Sequence, residues 1–144
     1  MCAAGARGQG LPVDTGDVLD LLGPLHGRRL LEVGCRAGTN LLGALIRGAI
    51  VWGVDPAAPL LIEARRRLPG ADLRVGRVDE LPFDSGSFDV VCSFDPIAGA
   101  LAAADAIGEM ARVCREGGLV VVTLACAPTA NPDHEKGRTV ILMR

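Results

Sequence analysis

The sequence predicts an α/β domain, a three-layer, doubly wound and mostly parallel sheet. Three observations predict it. Apolar runs (Leu30–Val33, Ile50–Val54, Phe88–Phe94, Leu119–Leu124) alternate with helical patterns at the spacing of strand–helix units. Val90-Val91-Cys92 and Leu119–Leu124 are continuous rather than alternating, as in strands buried on both faces. The first run ends in Gly34-Cys35-Arg36-Ala37-Gly38 and passes at once into a helical pattern of Leu41, Leu42, Leu45 and Ile46. A glycine-bearing turn of this kind lets a ligand approach the backbone.

The elements follow in order. Residues 1–10 are small and glycine-rich and read as a flexible leader, leaving 11–144 as one domain. Asp14–Leu22 suits a short helix capped by Asp14 or Thr15, with Val18, Leu19, Leu21 and Leu22 inward and Gly23-Pro24 ending it. The strand Leu30–Val33, the helix Thr39–Arg47 and the strand Ile50–Val54 come next. Pro59–Leu68 places Leu60, Leu61, Ala64 and Leu68 on one side, with Arg65, Arg66 and Arg67 on a solvated face. Pro69-Gly70 closes it. Asp72–Val75 makes a weak third strand and Phe88–Phe94 a strong fourth. Gly99–Cys114 is helical, and Gly117-Gly118 turns the chain into Leu119–Leu124. Arg138–Met143 supplies a last strand, so the fold is short at its C-terminal end. Crossovers between parallel strands are right-handed.

Composition excludes several classes. At 144 residues, 49% hydrophobic and 22% charged, the chain has the make-up of a soluble globular domain. A net charge of −2 leaves no electrostatic footprint for nucleic acid or for an anionic membrane. Tyrosine is absent and Trp52 is the sole tryptophan, which argues against a stacking platform for single strands. The five cysteines show neither a C-x-x-C nor a paired spacing with histidine, so a structural zinc and a disulfide framework are both poor readings. Scattered on apolar segments, they fit a reducing cytoplasm. No apolar run approaches the roughly 18 residues of a membrane helix.

Two acidic residues mark a ligand site. Glu32 stands inside an apolar strand, where a carboxylate is costly to bury without a partner. Asp55 ends the second run about 20 residues past Gly34, where a doubly wound fold places the acceptor for a ribose diol. A dinucleotide fingerprint would require G-x-G-x-x-G, but Arg36 and Thr39 occupy its second and third glycine places.

Glu32, Gly34 and Gly38 instead resemble the first motif of the class I S-adenosylmethionine-dependent methyltransferases, an acid followed by glycines at alternate positions. Glu80-Leu81-Pro82-Phe83-Asp84-Ser85-Gly86-Ser87-Phe88-Asp89-Val90-Val91 resembles the segment before the fourth strand in the group that includes ubiquinone- and menaquinone-biosynthesis enzymes. Arg112-Val113-Cys114-Arg115-Glu116-Gly117-Gly118 with Leu119–Val122 is similar to that family's helix–turn–strand R-V-L-K-P-G-G. The three blocks cover Leu30 to Thr123 in the family's order.

The resemblance implies S-adenosylmethionine as cofactor, S-adenosylhomocysteine as product and a small-molecule methyl acceptor. It implies that Glu32 and the Gly34–Gly38 loop, with Cys35 and Arg36, hold the methionine end. Asp55 would take both ribose hydroxyls, Pro56 would pack beside the adenine and Val78 would flank its other face. Ser93 and Phe94 would border the sulfonium and the acceptor. The chain also departs from the pattern. Arg36 replaces the middle glycine, and Arg77 replaces the acid that bonds the adenine amine, leaving Asp79 two positions on as its substitute. Asp95-Pro96-Ile97-Ala98 replaces a hydrophobic-His-His stretch.

Asp95 is the candidate general base near the methyl group; its plainer reading is an Asx-turn before Pro96. Cys35 and Cys92 read as packing residues, and His26 and His134 stand outside the motif blocks. An alternative is a degenerate, non-catalytic module serving as a partner or regulatory subunit. A third reading is an incomplete domain whose sheet edge needs a homo- or hetero-oligomer.

Overall fold

The computed structural model describes residues 18–97, 100–124 and 138–143. The leader, the first half of the Asp14–Leu22 helix, Cys2, Cys126 and His134 lie outside the described residues. A single 3-10 turn, Leu19–Leu22, is what that helix contributes, and Gly23 ends it at φ +68°. Six strands follow: β1 (Arg29–Val33), β2 (Ile50–Asp55), β3 (Asp72–Val75), β4 (Phe88–Ile97), β5 (Cys114–Leu124) and β6 (Arg138–Met143). Among the described residues three helices, α1 (Thr39–Ile46), α2 (Ala58–Arg67) and α3 (Ala100–Val113), connect β1 to β2, β2 to β3 and β4 to β5.

The sheet order is β3-β2-β1-β4-β5-β6. The first five strands run parallel, and β6 returns antiparallel along β5. The order reverses beside β1, because the chain builds outward through β2 and β3 and then crosses to β4. Open α/β sheets take ligands at the carboxyl ends of the strands that flank such a reversal, here β1 and β4.

Period-two alternation sorts the strand residues into two cores. Leu30, Val51, Val90 and Val121 meet Leu41 and Ala44 of α1 and Leu61 and Ala64 of α2. Leu31, Val54, Val91 and Val120 meet Met110 and Val113 of α3 on the other face. The three layers expected from the sequence are therefore present.

The arginines of α2 do more than face solvent. Placed in the last turn, they complement the helix dipole. Arg67 also donates to Thr39 Oγ1 at 2.9 Å, tying α2 to the start of α1, and Arg66 pairs with Glu63 at 2.7 Å. Arg65 donates to the carbonyl of Leu73 at 3.1 Å, which occupies an acceptor on the edge strand β3. Leu60, expected inward, is 37% exposed.

Two strands are longer than expected. Gly117-Gly118 is a bulge inside β5 rather than a turn before it: Phe88 pairs with Cys114 and Val90 with Leu119, so β5 carries the extra residues. Gly117 takes φ +75° there, and a Cβ on Gly118 would lie 2.8 Å from the Asp89 carbonyl oxygen. β4 continues past Phe94 to Ile97, with a shift of register after Ser93.

The segment between β3 and β4 is held by the end of α3. Arg112 donates to the carbonyls of Leu81 (3.1 Å) and Phe83 (2.9 Å), while Glu109 accepts the Leu81 N–H at 2.8 Å.

Candidate functional site

The turn after β1 lies across the end of β2. Gly34, at φ +75°, and Cys35 both donate their N–H groups to the Val54 carbonyl, at 2.8 and 3.2 Å. Gly38 then closes back on Cys35 at 2.9 Å and caps α1 at φ +81°. A Cβ at Gly38 would sit 3.1 Å from Leu68 Cδ1 and 3.2 Å from Ala64 Cβ, so α2 packs directly against this turn.

Arg36 sits between the glycines at φ +52°, the one non-glycine residue with positive φ among the described residues. The left-handed region costs a side-chain-bearing residue roughly 1–2 kcal/mol. Its backbone N–H donates to Asp55 Oδ2 at 2.9 Å, and the Ala57 N–H donates to Oδ1 at 2.8 Å. Asp55 is 4% exposed. Each of its oxygens carries one amide and keeps further acceptor capacity.

Glu32 is 2% exposed on β1, and Asn40 in the first turn of α1 donates to its Oε2 at 3.0 Å. Between the two acids lies Cys35, whose thiol is pushed up to about 12 by burial first and then by the charges of Glu32 and Asp55. Burial, with Glu32, also raises Cys92 well above the ordinary thiol range. Both cysteines are protonated packing residues, as their apolar settings suggest.

The other expected residues are distributed around this centre. Pro56 is exposed beyond Asp55, and Val78 is half-buried against the α3-side core. Asp79 is gripped in a fork by Arg77, at 2.9 and 2.8 Å, which holds its carboxyl below the usual range. Ser93 is buried on β4, and Phe94 packs against the core shared with α1 and α2. The backbone of Asp95 and Pro96 continues β4 in place of turning after Phe94. The structure thus gathers Glu32, Gly34, Cys35, Arg36, Gly38 and Asp55 about one turn, with Gly38 bonded to Cys35 and Arg36 to Asp55, while Asp79 is engaged by its own neighbour.

Sequence reading missed Asn40 and the Ala57 amide. Asn40 is the second residue of a helix that starts beside a buried acid, and only that placement hints at the contact. A cavity of about 470 Å³, lined by Arg29, Trp52, Arg74, Phe83 and Phe88 among others, opens where strands begin rather than where they end. It lies away from the acids, so its size does not make it the reactive site. Among the described residues no cluster of His, Cys, Asp and Glu is placed to hold a metal ion, and no helix is long and apolar enough to cross a membrane.

Residues 31–122 match the model of the methyltransferase domain. The chain belongs to the class I S-adenosylmethionine-dependent methyltransferase family. This methyltransferase domain is 32% identical over 114 residues to a demethylmenaquinone methyltransferase of Beutenbergia cavernae, covering 79% of this chain and 48% of that one. It is 35% identical over 122 residues to an uncharacterized methyltransferase of Mycobacterium tuberculosis, covering 81% of this chain and 47% of the relative. Among solved structures, the S-adenosylmethionine-bound amino pentose methyltransferase of Micromonospora echinaspora superimposes with a TM-score of 0.67 at 27% identity, over 79% of this chain and 49% of that one. The chain spans about half the length of the curated relatives it matches. The matched span contains the whole Glu32–Asp55 unit as well as the Glu109–Arg112 contact.

Proposed function

We propose that this domain binds S-adenosylmethionine at the Gly34–Gly38 turn and transfers its methyl group to a small-molecule acceptor, leaving S-adenosylhomocysteine. The observation that carries the reading is Asp55: a buried carboxylate at a strand end, each oxygen oriented by one backbone amide. Two vicinal hydroxyls suit the acceptor capacity that remains. Glu32, a second buried acid held by Asn40, suits the cationic methionine end. The residues present therefore fit the cofactor.

The bound cofactor supplies a methyl group already activated on a sulfonium, so the protein chiefly aligns and desolvates. Asp55 orients the ribose. Pro56 and Val78 flank the adenine, and Asp79 accepts from its amine. Ser93 and Phe94 wall the site beside β1, and Asp95, on the backbone leaving β4, is the carboxylate proposed to accept the acceptor's proton. A small-molecule acceptor accords with the relative named for demethylmenaquinone and with a net charge of −2. The free, buried cysteines Cys35, Cys92 and Cys114 accord with a reducing, cytoplasmic setting.

Calorimetric titration of the full chain with S-adenosylmethionine and S-adenosylhomocysteine tests the reading. Micromolar binding of both, followed by methyl transfer from labelled cofactor to demethylated quinols or another small acceptor, is the expected result. No binding at millimolar ligand would overturn it in favour of a non-catalytic partner module, and a pull-down would follow.

A further inference from the structure

We infer that Glu109 and Arg112 are positioning residues that fix the segment carrying Val78 and Asp79 and so set the base selectivity of the cofactor site. The inference rests on the cofactor reading above. Arg112 grips Glu109 in a fork, Nε to Oε1 at 2.7 Å and Nη2 to Oε2 at 2.9 Å. The same guanidinium donates to the Leu81 and Phe83 carbonyls and, at 3.3 Å, to Ser85 Oγ. Glu109 accepts the Leu81 N–H, and the Gly86 N–H donates to the Arg112 carbonyl at 2.9 Å.

An i,i+3 ion pair on a helix surface is worth little by itself. Here the pair spends its remaining donors and acceptor on a segment about 30 residues away in sequence, and both polar ends of Leu81 are taken. Leu81 is 4% exposed and seated in the α3-side core, so the chain two residues after Asp79 is pinned at a buried point. Asp79 is near enough that its charge acts on Glu109. Arg77 holds the Asp79 carboxylate through both of its oxygens. Asp79 is thus an acceptor whose side chain and following backbone are both constrained, as base discrimination requires: a loosened acceptor tolerates the wrong hydrogen-bond pattern. The anchor is α3, the helix that follows β4, so the adenine side is tied to the element next to the acceptor side.

The test compares S-adenosylhomocysteine with S-inosylhomocysteine, whose base carries a carbonyl in place of the amine and a proton on the adjacent ring nitrogen. Affinities are measured by calorimetry on the full chain, for the wild type, Asp79→Asn, Arg112→Lys and Glu109→Gln. The wild type should prefer the adenosyl compound by about tenfold, the worth of one well-made hydrogen bond. Both clamp variants, like Asp79→Asn, should cut that preference by about threefold or more. Glu109→Gln keeps a carbonyl for the Leu81 N–H and serves if Arg112→Lys does not fold. Equal loss of both affinities, or an unchanged ratio with wild-type binding intact, would overturn this inference alone. Failure of the wild type to bind either compound would overturn the cofactor reading and this inference with it.

Discussion

The backbone N–H of Arg36 and the carboxylate of Asp55 meet at 2.9 Å, joining the turn after β1 to the end of β2. The contact uses the amide of Arg36, not its guanidinium, so it survives the replacement of a family glycine by arginine. It orients the one carboxylate on which the cofactor reading chiefly rests.

Removing that carboxylate should therefore be felt in binding. Asp55→Ala is expected to weaken S-adenosylhomocysteine by roughly 1.5–3 kcal/mol, the worth of hydrogen bonds to a charged group. Calorimetry measures it. Unchanged affinity in a folded variant would remove Asp55 from the site.

Arg36 pays for its position in backbone strain. Arg36→Gly should relieve roughly 1–2 kcal/mol of left-handed strain and lose about 0.4–1 kcal/mol to the freer unfolded chain. Because both variants remove the side chain and only the alanine keeps the strain, Arg36→Gly should be more stable than Arg36→Ala by about 0.5–1 kcal/mol in urea denaturation. Destabilisation of the glycine variant would mean that side-chain interactions of Arg36 outweigh the strain.

What the sequence made legible was what local pattern and burial determine. Continuous apolar runs located the strands, and Glu32 within one and Asp55 at the end of another announced themselves as acids in apolar company. That Arg36 stands where the family has a glycine was legible too, but the positive φ it adopts was not. Tertiary contacts remained out of reach. Gly117-Gly118 has the composition of a turn, and only the pairing of β5 with β4, Phe88 to Cys114 and Val90 to Leu119, makes it a bulge within the strand. Arg65 and Arg67 look like solvated charges until α2 is seated beside β3 and α1. The Glu109–Arg112 pair is visible at its i,i+3 spacing, but its grip on Leu81 and Phe83 depends on where α3 ends.

Gly38 serves both backbone and packing, so a single methyl group tests both. Gly38→Ala would force alanine to φ +81° and bring its Cβ within 3.1 Å of Leu68 and 3.2 Å of Ala64. Strain and overpacking together should cost about 2–4 kcal/mol in chemical denaturation. A loss below about 0.5 kcal/mol would show that α2 is free to move away from the turn.

The buried thiol of Cys35 makes stability fall at alkaline pH. Its folded pKa, about 12, lies above the ordinary thiol value of 9.0, so above pH 9 the unfolded chain releases a proton that the folded chain retains. The folded state then binds more protons, and stability declines as pH rises from about 9 to 12. From this group alone the loss between pH 8 and pH 10 should be about 1 kcal/mol, and Cys92 acts in the same direction. Urea midpoints at the two pH values measure the slope for the wild type and for Cys35→Ala. The alanine variant, whatever its own stability, should lose about 1 kcal/mol less across that interval. Identical slopes would mean that Cys35 ionises as readily in the folded protein as in the unfolded chain, and that the pocket between Glu32 and Asp55 is open to water.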